Sequence, residues 1–328
     1  METTRRAGLV AAILLLAVTP SAAPQSSRAP QNPTVPQNLP APRRSTPPGD
    51  VYVSLATGPV QWRTSDGALR GELVDLVPGP AQGMRIDPSG NLYVARRCAD
   101  ASCTVGNSVE KFNPMGVSQG AVGGETRYNC NPHSIAFDAA GNTFVGQADC
   151  TGHVLQFTSD STPHEHKVAP DSRGSAWIDL AGDGCTLLYT SRGPNVKRFD
   201  VCTKSQRPDF NVDLLPGGDT QGLRSLDDGG VLVASGAVVA RLDPAGALIQ
   251  TYAVEPSEPQ YWVGLDLDTD GSFWAVNSAT SNVYQFDLAT GEVRREFNTG
   301  TAPHTAVDVI VRRGKKPSPA PPGGVTLH

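Results

Sequence analysis

Apolar and polar residues alternate in a pattern that repeats along the middle of the chain. Residues 84–95 read MRIDPSGNLYVA, followed by VEKFNPMG at 109–116. Residues 134–146 read SIAFDAAGNTFVG, followed by VLQFTSD at 154–160. The order returns as AWIDLAGDGCTLLYT (176–190) with VKRFD (196–200), then as GLRSLDDGGVLVA (222–234) with VVARLDPAG (238–246). It returns again as GLDLDTDGSFWAV (264–276) with VYQFDLATG (283–291). Each unit is an apolar strand, an Asp/Gly-rich turn and a second apolar strand, then a loop, an alternating strand, a turn and a fourth strand such as EVRREF (292–297). First strands start near residues 84, 134, 176, 222 and 264, 42 to 50 residues apart. Four short antiparallel strands in roughly 40 to 45 residues predict a β-propeller blade, since a sandwich of hairpins does not usually return one motif at a fixed spacing.

The two ends of the repeat region complement each other. Residues 49–73, GDVYVSLATGPVQWRTSDGALRGEL, match strands two to four of a unit, whereas TAVDVIV (305–311) looks like a first strand with nothing after it. An all-β, six-bladed β-propeller follows, closed by the C-terminal strand joining the N-terminal blade, which leaves no exposed sheet edge at the seam. The pattern D-x-x-G-N-[LI]-[YW]-V-A, a loop and a [VI]-x-x-F-[DN]-x-x-G turn resembles the NHL-repeat propellers. It also resembles the streptogramin-lyase-like and SMP-30/gluconolactonase-like six-bladed propellers. The resemblance spans the whole repeat region and implies the fold, but a fold of this kind hosts many activities.

Composition divides the chain into regions. Of 28 prolines, nine lie between Pro20 and Pro48 and four between Pro317 and Pro322, while 30 of the 34 glycines fall within residues 49–313, many of them in the turns of the repeats. Arg5 and Arg6, the apolar run Ala7–Val18 and the small residues Ser21, Ala22 and Ala23 read as a secretory signal over residues 1–23. A helix over that run is too short to span a bilayer. Residues 24–48 read as a Pro-rich disordered linker, 49–313 as the propeller and 314–328 as a disordered tail. Nine of 27 Lys and Arg fall outside residues 50–311, against one of 32 Asp and Glu, so this segment holds 18 basic and 31 acidic residues. Such an acidic domain has no footprint for a phosphate backbone, and nucleic acid is excluded as a partner. The expected product is a monomer, secreted or periplasmic, not membrane-spanning after signal cleavage.

Six cysteines in an exported chain read as disulfides. The blade register pairs Cys98 with Cys103 in the loop RRCADASCTVGN (96–107), Cys130 with Cys150, and Cys185 with Cys202. Arg96 and Arg97 flank the first of these loops and suggest a partner contact.

Propellers of this type carry ligands on the face where first strands begin. Aligning the units on the turn glycine puts Gln82, His133, Gln221, Val263 and His304 at equivalent places, with Ser175 there if a turn insertion is allowed. Two Pro-His steps (Pro132-His133, Pro303-His304) and two Gln-Gly-x-Arg steps (Gln82 to Arg85, Gln221 to Arg224) recur. The expected ligand site is Gln82, Arg85, His133, Gln221, Arg224, Trp262 and His304. Two readings stay open. One is a binding or interaction module for an extracellular protein, peptide or small molecule. The other is a metal-assisted lyase or hydrolase of the streptogramin-lyase/lactonase-like group, with His133 and His304 on a divalent metal or in general acid–base roles. The Pro-His steps resemble those of peptidylglycine-amidating lyases, in which such histidines hold zinc. The lactonase motif reads DPSGNLYVARR here, with Ala95-Arg96 where that family carries Asp-Ser. His164-Glu165-His166 is a further candidate metal ligand set or a solvated turn, and Tyr261 with Trp262 an aromatic ligand contact or a blade-interface cap.

Overall fold

The structure is a computed structural model that describes residues 49–123, 128, 131–158 and 163–313. Twenty-four strands, β1 to β24 in chain order, make up six four-stranded antiparallel sheets, and the described residues contain no helix. The sheets are the six blades expected. Their inner strands are β24 (Ala306–Val311), β4 (Ala81–Ile86), β8 (Pro132–Phe137), β12 (Trp177–Leu180), β16 (Thr220–Ser225) and β20 (Trp262–Leu267). Each packs against the next, and β20 packs against β24, so the ring is closed. At the seam, β24 pairs with β1 (Val51–Leu55) from Val51↔Val311 to Leu55↔Ala306.

The sequence pattern explains the radial order. A blade is covered on both faces by its neighbours, so its inner strands must be apolar on both sides. All five residues of β1 and of β5 (Leu92–Arg96) are buried, whereas the outermost β23 (Val293–Asn298) is almost entirely exposed. Buried apolar clusters fill the spaces between consecutive blades. Between the first and second, for example, Tyr52, Val60, Met84, Leu92, Phe112 and Ile310 meet. The Asp/Gly turns close as their sequence demands. Asp87 Oδ1 accepts the Asn91 backbone N–H (2.9 Å), and Gly90 takes φ +85°, a conformation that a Cβ disfavours. Asp138, Asn142 and Gly141 repeat this geometry one blade on.

Cys98–Cys103 and Cys185–Cys202 are disulfide-bonded, as the register requires. Cys130 lies outside the described residues, as do residues 1–48 and 314–328, on which the signal, linker and tail expectations fall. The Arg96 side chain is not at the surface. It is fully buried, donates to Glu110 Oε2 through Nε (3.0 Å) and Nη2 (2.7 Å), and reaches the carbonyl of Gly58. It ties the first blade to the second rather than meeting a partner.

Candidate functional site

Five inner strands carry a β-bulge at the same level, near the face where they begin. In β4, Gln82 and Gly83 lie between the pairs Ala81↔Arg96 and Met84↔Val94. Gln221-Gly222 in β16 and Val263-Gly264 in β20 repeat this arrangement. In β8 the extra residue is His133, and in β24 it is Val307. A bulge bends its strand and re-aims a side chain, and these bulges set Gln82, His133, Gln221, Val263 and Val307 at one level of the inner strands. Val263 and Val307 join Trp177 and Leu223 in one apolar cluster, with Tyr261 and Ala56 packed against it. Apolar and polar side chains thus meet at this level, the loop-face mouth of the channel.

Those polar groups are held firmly. Trp177 donates its indole N–H to Gln221 Oε1 (3.3 Å), and Gln221 Nε2 donates to Asp219 (2.9 Å) and to the Tyr261 hydroxyl oxygen (3.0 Å). Tyr261 donates to Asp219 Oδ2 (2.7 Å), which Arg192 clamps with two bonds of 2.6 and 2.8 Å. Burial, then the Asp219 contact, pushes the Tyr261 hydroxyl up to about 12. Gln82 turns back onto the Ala81 carbonyl. The His133 ring meets Trp177 edge-on, with centroids 5.1 Å apart, and its buried Nδ1 has no hydrogen-bond partner among the described residues. Burial and the charges of Arg97, Arg173 and Arg192 hold the imidazole at about 3, so it is neutral near pH 7. Arg173 is itself clamped on Asp149 by two bonds of 2.8 Å, whereas Arg97 has no ion pair among the described residues.

This mouth brings together only part of the expected set. Gln82, His133 and Gln221 are there. His304 is exposed in the turn before β24, at φ +62°, and the bulge position of that blade belongs to Val307. The reason is local: TAVDVIV has no Asp/Gly turn after it, so an alignment on turn glycines has no anchor in that blade. Trp262 is fully buried between the fifth and sixth blades, donates to the Ala237 carbonyl (3.1 Å) and packs on Tyr284 and Phe286. Its neighbour Tyr261 is the aromatic at the mouth. Arg85 and Arg224 lie toward the far ends of their strands, where the channel opens on the turn face.

The residues do not fit a divalent cation. Among the described residues no three His, Cys, Asp or Glu side chains converge as a ligand set. In the His164-Glu165-His166 segment, His166 turns inward between Phe144 and Phe199 and bonds Gln156 (2.9 Å), whereas Glu165 faces out to His153 (2.8 Å).

Trp177, Arg192, Asp219 and Val307 were not singled out by motif. Trp177 was legible as the aromatic of the fourth inner strand, but the loop residues Arg192 and Asp219 repeat nowhere in the chain.

No family model matches the sequence, and no curated protein matches it. Solved structures do. A chain of a nidogen/laminin complex superposes with a TM-score of 0.63 at 12% identity, covering 79% of this chain and 97% of that one. A streptogramin B lyase gives 0.55 at 15% identity over 81% and 89%. Virginiamycin B lyase from Staphylococcus aureus gives 0.51 at 14% identity over 68% and 71%. The chain therefore shares the six-bladed propeller fold of the streptogramin B lyases and of the nidogen type.

Proposed function

We propose that the chain is an exported binding module whose ligand sits at the loop-face mouth of the channel. The observation that supports this reading is the ring of five bulges, which sets Gln82, His133, Gln221, Val263 and Val307 at one level of the inner strands, with Trp177 against His133 and Gln221 and Tyr261 against Gln221. The apolar residues suit an apolar or aromatic group, while the Arg97 charge acting on His133, without an ion pair among the described residues, suits an anionic end. A peptide segment or small molecule of that kind fits the mouth. The two disulfides suit an oxidising compartment, secreted or periplasmic. The likeness to a chain of a nidogen/laminin complex supports binding as a use of this fold. The lyase likeness, at 14–15% identity, supports the fold and assigns no reaction.

The test is a thermal-shift screen of the full chain with aryl carboxylic acids and short acidic aromatic peptides, followed by imidazole NMR. Expected hits perturb the His133 ring signals and lose affinity in His133→Ala and in Arg97→Ala. Hits that bind these variants as tightly as the parent, or that move only turn-face residues, would refute the assignment.

A further inference from the structure

The segment that leads into Tyr261 is fastened to the sixth blade through a cradle of neutral donors. Residues 253–260 run from β19 (Leu248–Tyr252) on the fifth blade to Tyr261, just before β20 on the sixth. Gln260 closes the segment on itself, its Oε1 accepting the Val254 N–H (3.2 Å) and its Nε2 donating to the Val254 carbonyl (3.3 Å). Glu258 ties it outward. Its Oε1 accepts from Asn277 Nδ2 (3.1 Å), the Thr280 hydroxyl (3.2 Å), Asn282 Nδ2 (3.3 Å) and the Tyr284 hydroxyl (2.8 Å), which also lies 2.9 Å from Oε2. These four residues belong to β21 (Ser272–Asn277), β22 (Asn282–Asp287) and the loop between them. All four donors are neutral, so the cradle asks for an acceptor oxygen rather than for a charge.

The fastening reaches Tyr261 through Asn277. That residue is fully buried, and both ends of its amide are in use. Nδ2 donates to Glu258 and to the Pro259 carbonyl (2.9 Å), and Oδ1 accepts the Tyr261 N–H (3.0 Å). Both partners of Nδ2 can only accept, so they fix which end of the amide faces Tyr261, and Glu258 is the one that a substitution can remove. The Tyr261 carbonyl in turn accepts the Ser278 N–H (2.8 Å). With its backbone held there, Tyr261 donates its hydroxyl to Asp219 (2.7 Å) and accepts from Gln221 Nε2 (3.0 Å). Gln221 accepts the Trp177 indole N–H, and the His133 ring lies edge-on to Trp177. One chain of contacts thus runs from Glu258 to His133.

We infer that Glu258 is a positioning residue for the loop-face mouth: its carboxylate fastens residues 253–260 to the sixth blade and thereby holds Tyr261 in the bonds that orient Gln221, Trp177 and His133. The inference rests on the mouth being the ligand site, as proposed above. Without the carboxylate the segment keeps the internal bonds of Gln260 but loses its outward tie, and the Asn277 amide loses one of the two acceptors that orient it. Tyr261 is then free to leave Asp219 and Gln221 together. A site whose supporting bonds loosen in this way binds less tightly, because the ligand must reorder the groups that it meets.

Hydrogen exchange and NMR on the full chain test this before any ligand is added. Glu258→Ala should speed exchange of the Tyr261 and Ser278 amides by at least about tenfold, the loss of one hydrogen bond to a charged group. It should also shift the Trp177 indole N–H and the His133 ring signals. Glu258→Gln should restore both readouts, because its amide oxygen accepts as the carboxylate does and its NH2 donates to the Tyr284 hydroxyl oxygen. Tyr284→Phe keeps the buried ring and removes one donor. It should give the same changes at smaller size, and it guards against a folding defect in Glu258→Ala. Benzoate, an aryl carboxylate, is then titrated into the parent and the variants, with weaker binding expected in Glu258→Ala and recovery in Glu258→Gln. Unchanged exchange and signals in Glu258→Ala, or changes that Glu258→Gln does not reverse, would overturn the proposal. Shifted signals in Glu258→Ala, with no effect of benzoate on the parent's His133 ring, would instead refute the mouth as an aryl carboxylate site while supporting the fastening.

Discussion

Asp308 and His133 make opposite demands on pH, and their conflict can be measured. Asp308 is fully buried, and desolvation outweighs the attraction of Arg224 to raise its carboxyl from 3.8 to about 7. The folded state therefore binds this proton more tightly than the unfolded chain does. The resulting stability is present in full below about pH 4 and is lost as pH rises through about 7. Between about pH 5 and pH 8 that single group should remove about 2.5 kcal/mol. His133 acts the other way. Its imidazole falls from 6.5 to about 3, so the unfolded chain binds the proton more tightly, and stability is present above 6.5 and lost as pH falls toward 3. Going from about pH 8 to pH 5, it should remove about 2 kcal/mol. The parent should consequently show a nearly flat contribution from the pair. Asp308→Asn should expose the histidine and make the protein lose stability on acidification relative to the parent. His133→Gln should expose the aspartate and make it gain. The assay is urea unfolding of the full chain at a series of pH values, reading differences from the parent so that other groups cancel. Asp308→Asn also sets an amide donor against a backbone N–H, which lowers stability at every pH and leaves the slope informative. If both variants follow the parent's profile within about 0.5 kcal/mol, the charge assignments of Asp308 and His133 are wrong.

Three further outcomes follow from packing and covalent structure. Arg96→Met leaves Glu110 buried without its cation and should lower the unfolding free energy by about 3–5 kcal/mol in urea titrations. Gly264→Ala puts a Cβ inside the contact radius of Asp308 and of the Val307 carbonyl and should cost at least about 1–3 kcal/mol, whereas Gly182→Ala meets nothing and should stay within about 0.5 kcal/mol. Loss of the Cys185–Cys202 bond, with a sequence separation of 17, should cost about 3 kcal/mol, and loss of Cys98–Cys103, with a separation of 5, about 2 kcal/mol by calorimetry.

The architecture was legible because a blade is a local object. Strand, turn and strand lie within some 40 residues of each other, and the Asp87–Asn91 and Asp138–Asn142 turns are encoded where they occur. The closing strand was legible as well, because residues 305–311 lacked partners that residues 49–73 could supply. The bulge level was legible where a recognisable turn follows it, as at Gln82, His133, Gln221 and Val263. It was missed at His304, where counting had nothing to anchor it, and Trp262 went to the blade interface because a residue one place from the bulge points the other way.

Blade number, closure and two of the disulfide pairs were thus determined by the sequence alone, since each depends on periodicity and short-range register. Which side chains meet at either end of the channel was decided only by the tertiary structure. Arg85 reaches Asp179 and Asp266 from 94 and 181 residues away, and Arg192 reaches Asp219 through two unlike loops. A ring joins residues that share a level, not a neighbourhood in the chain. One bulge in an inner strand is enough to choose which of two consecutive side chains faces the axis.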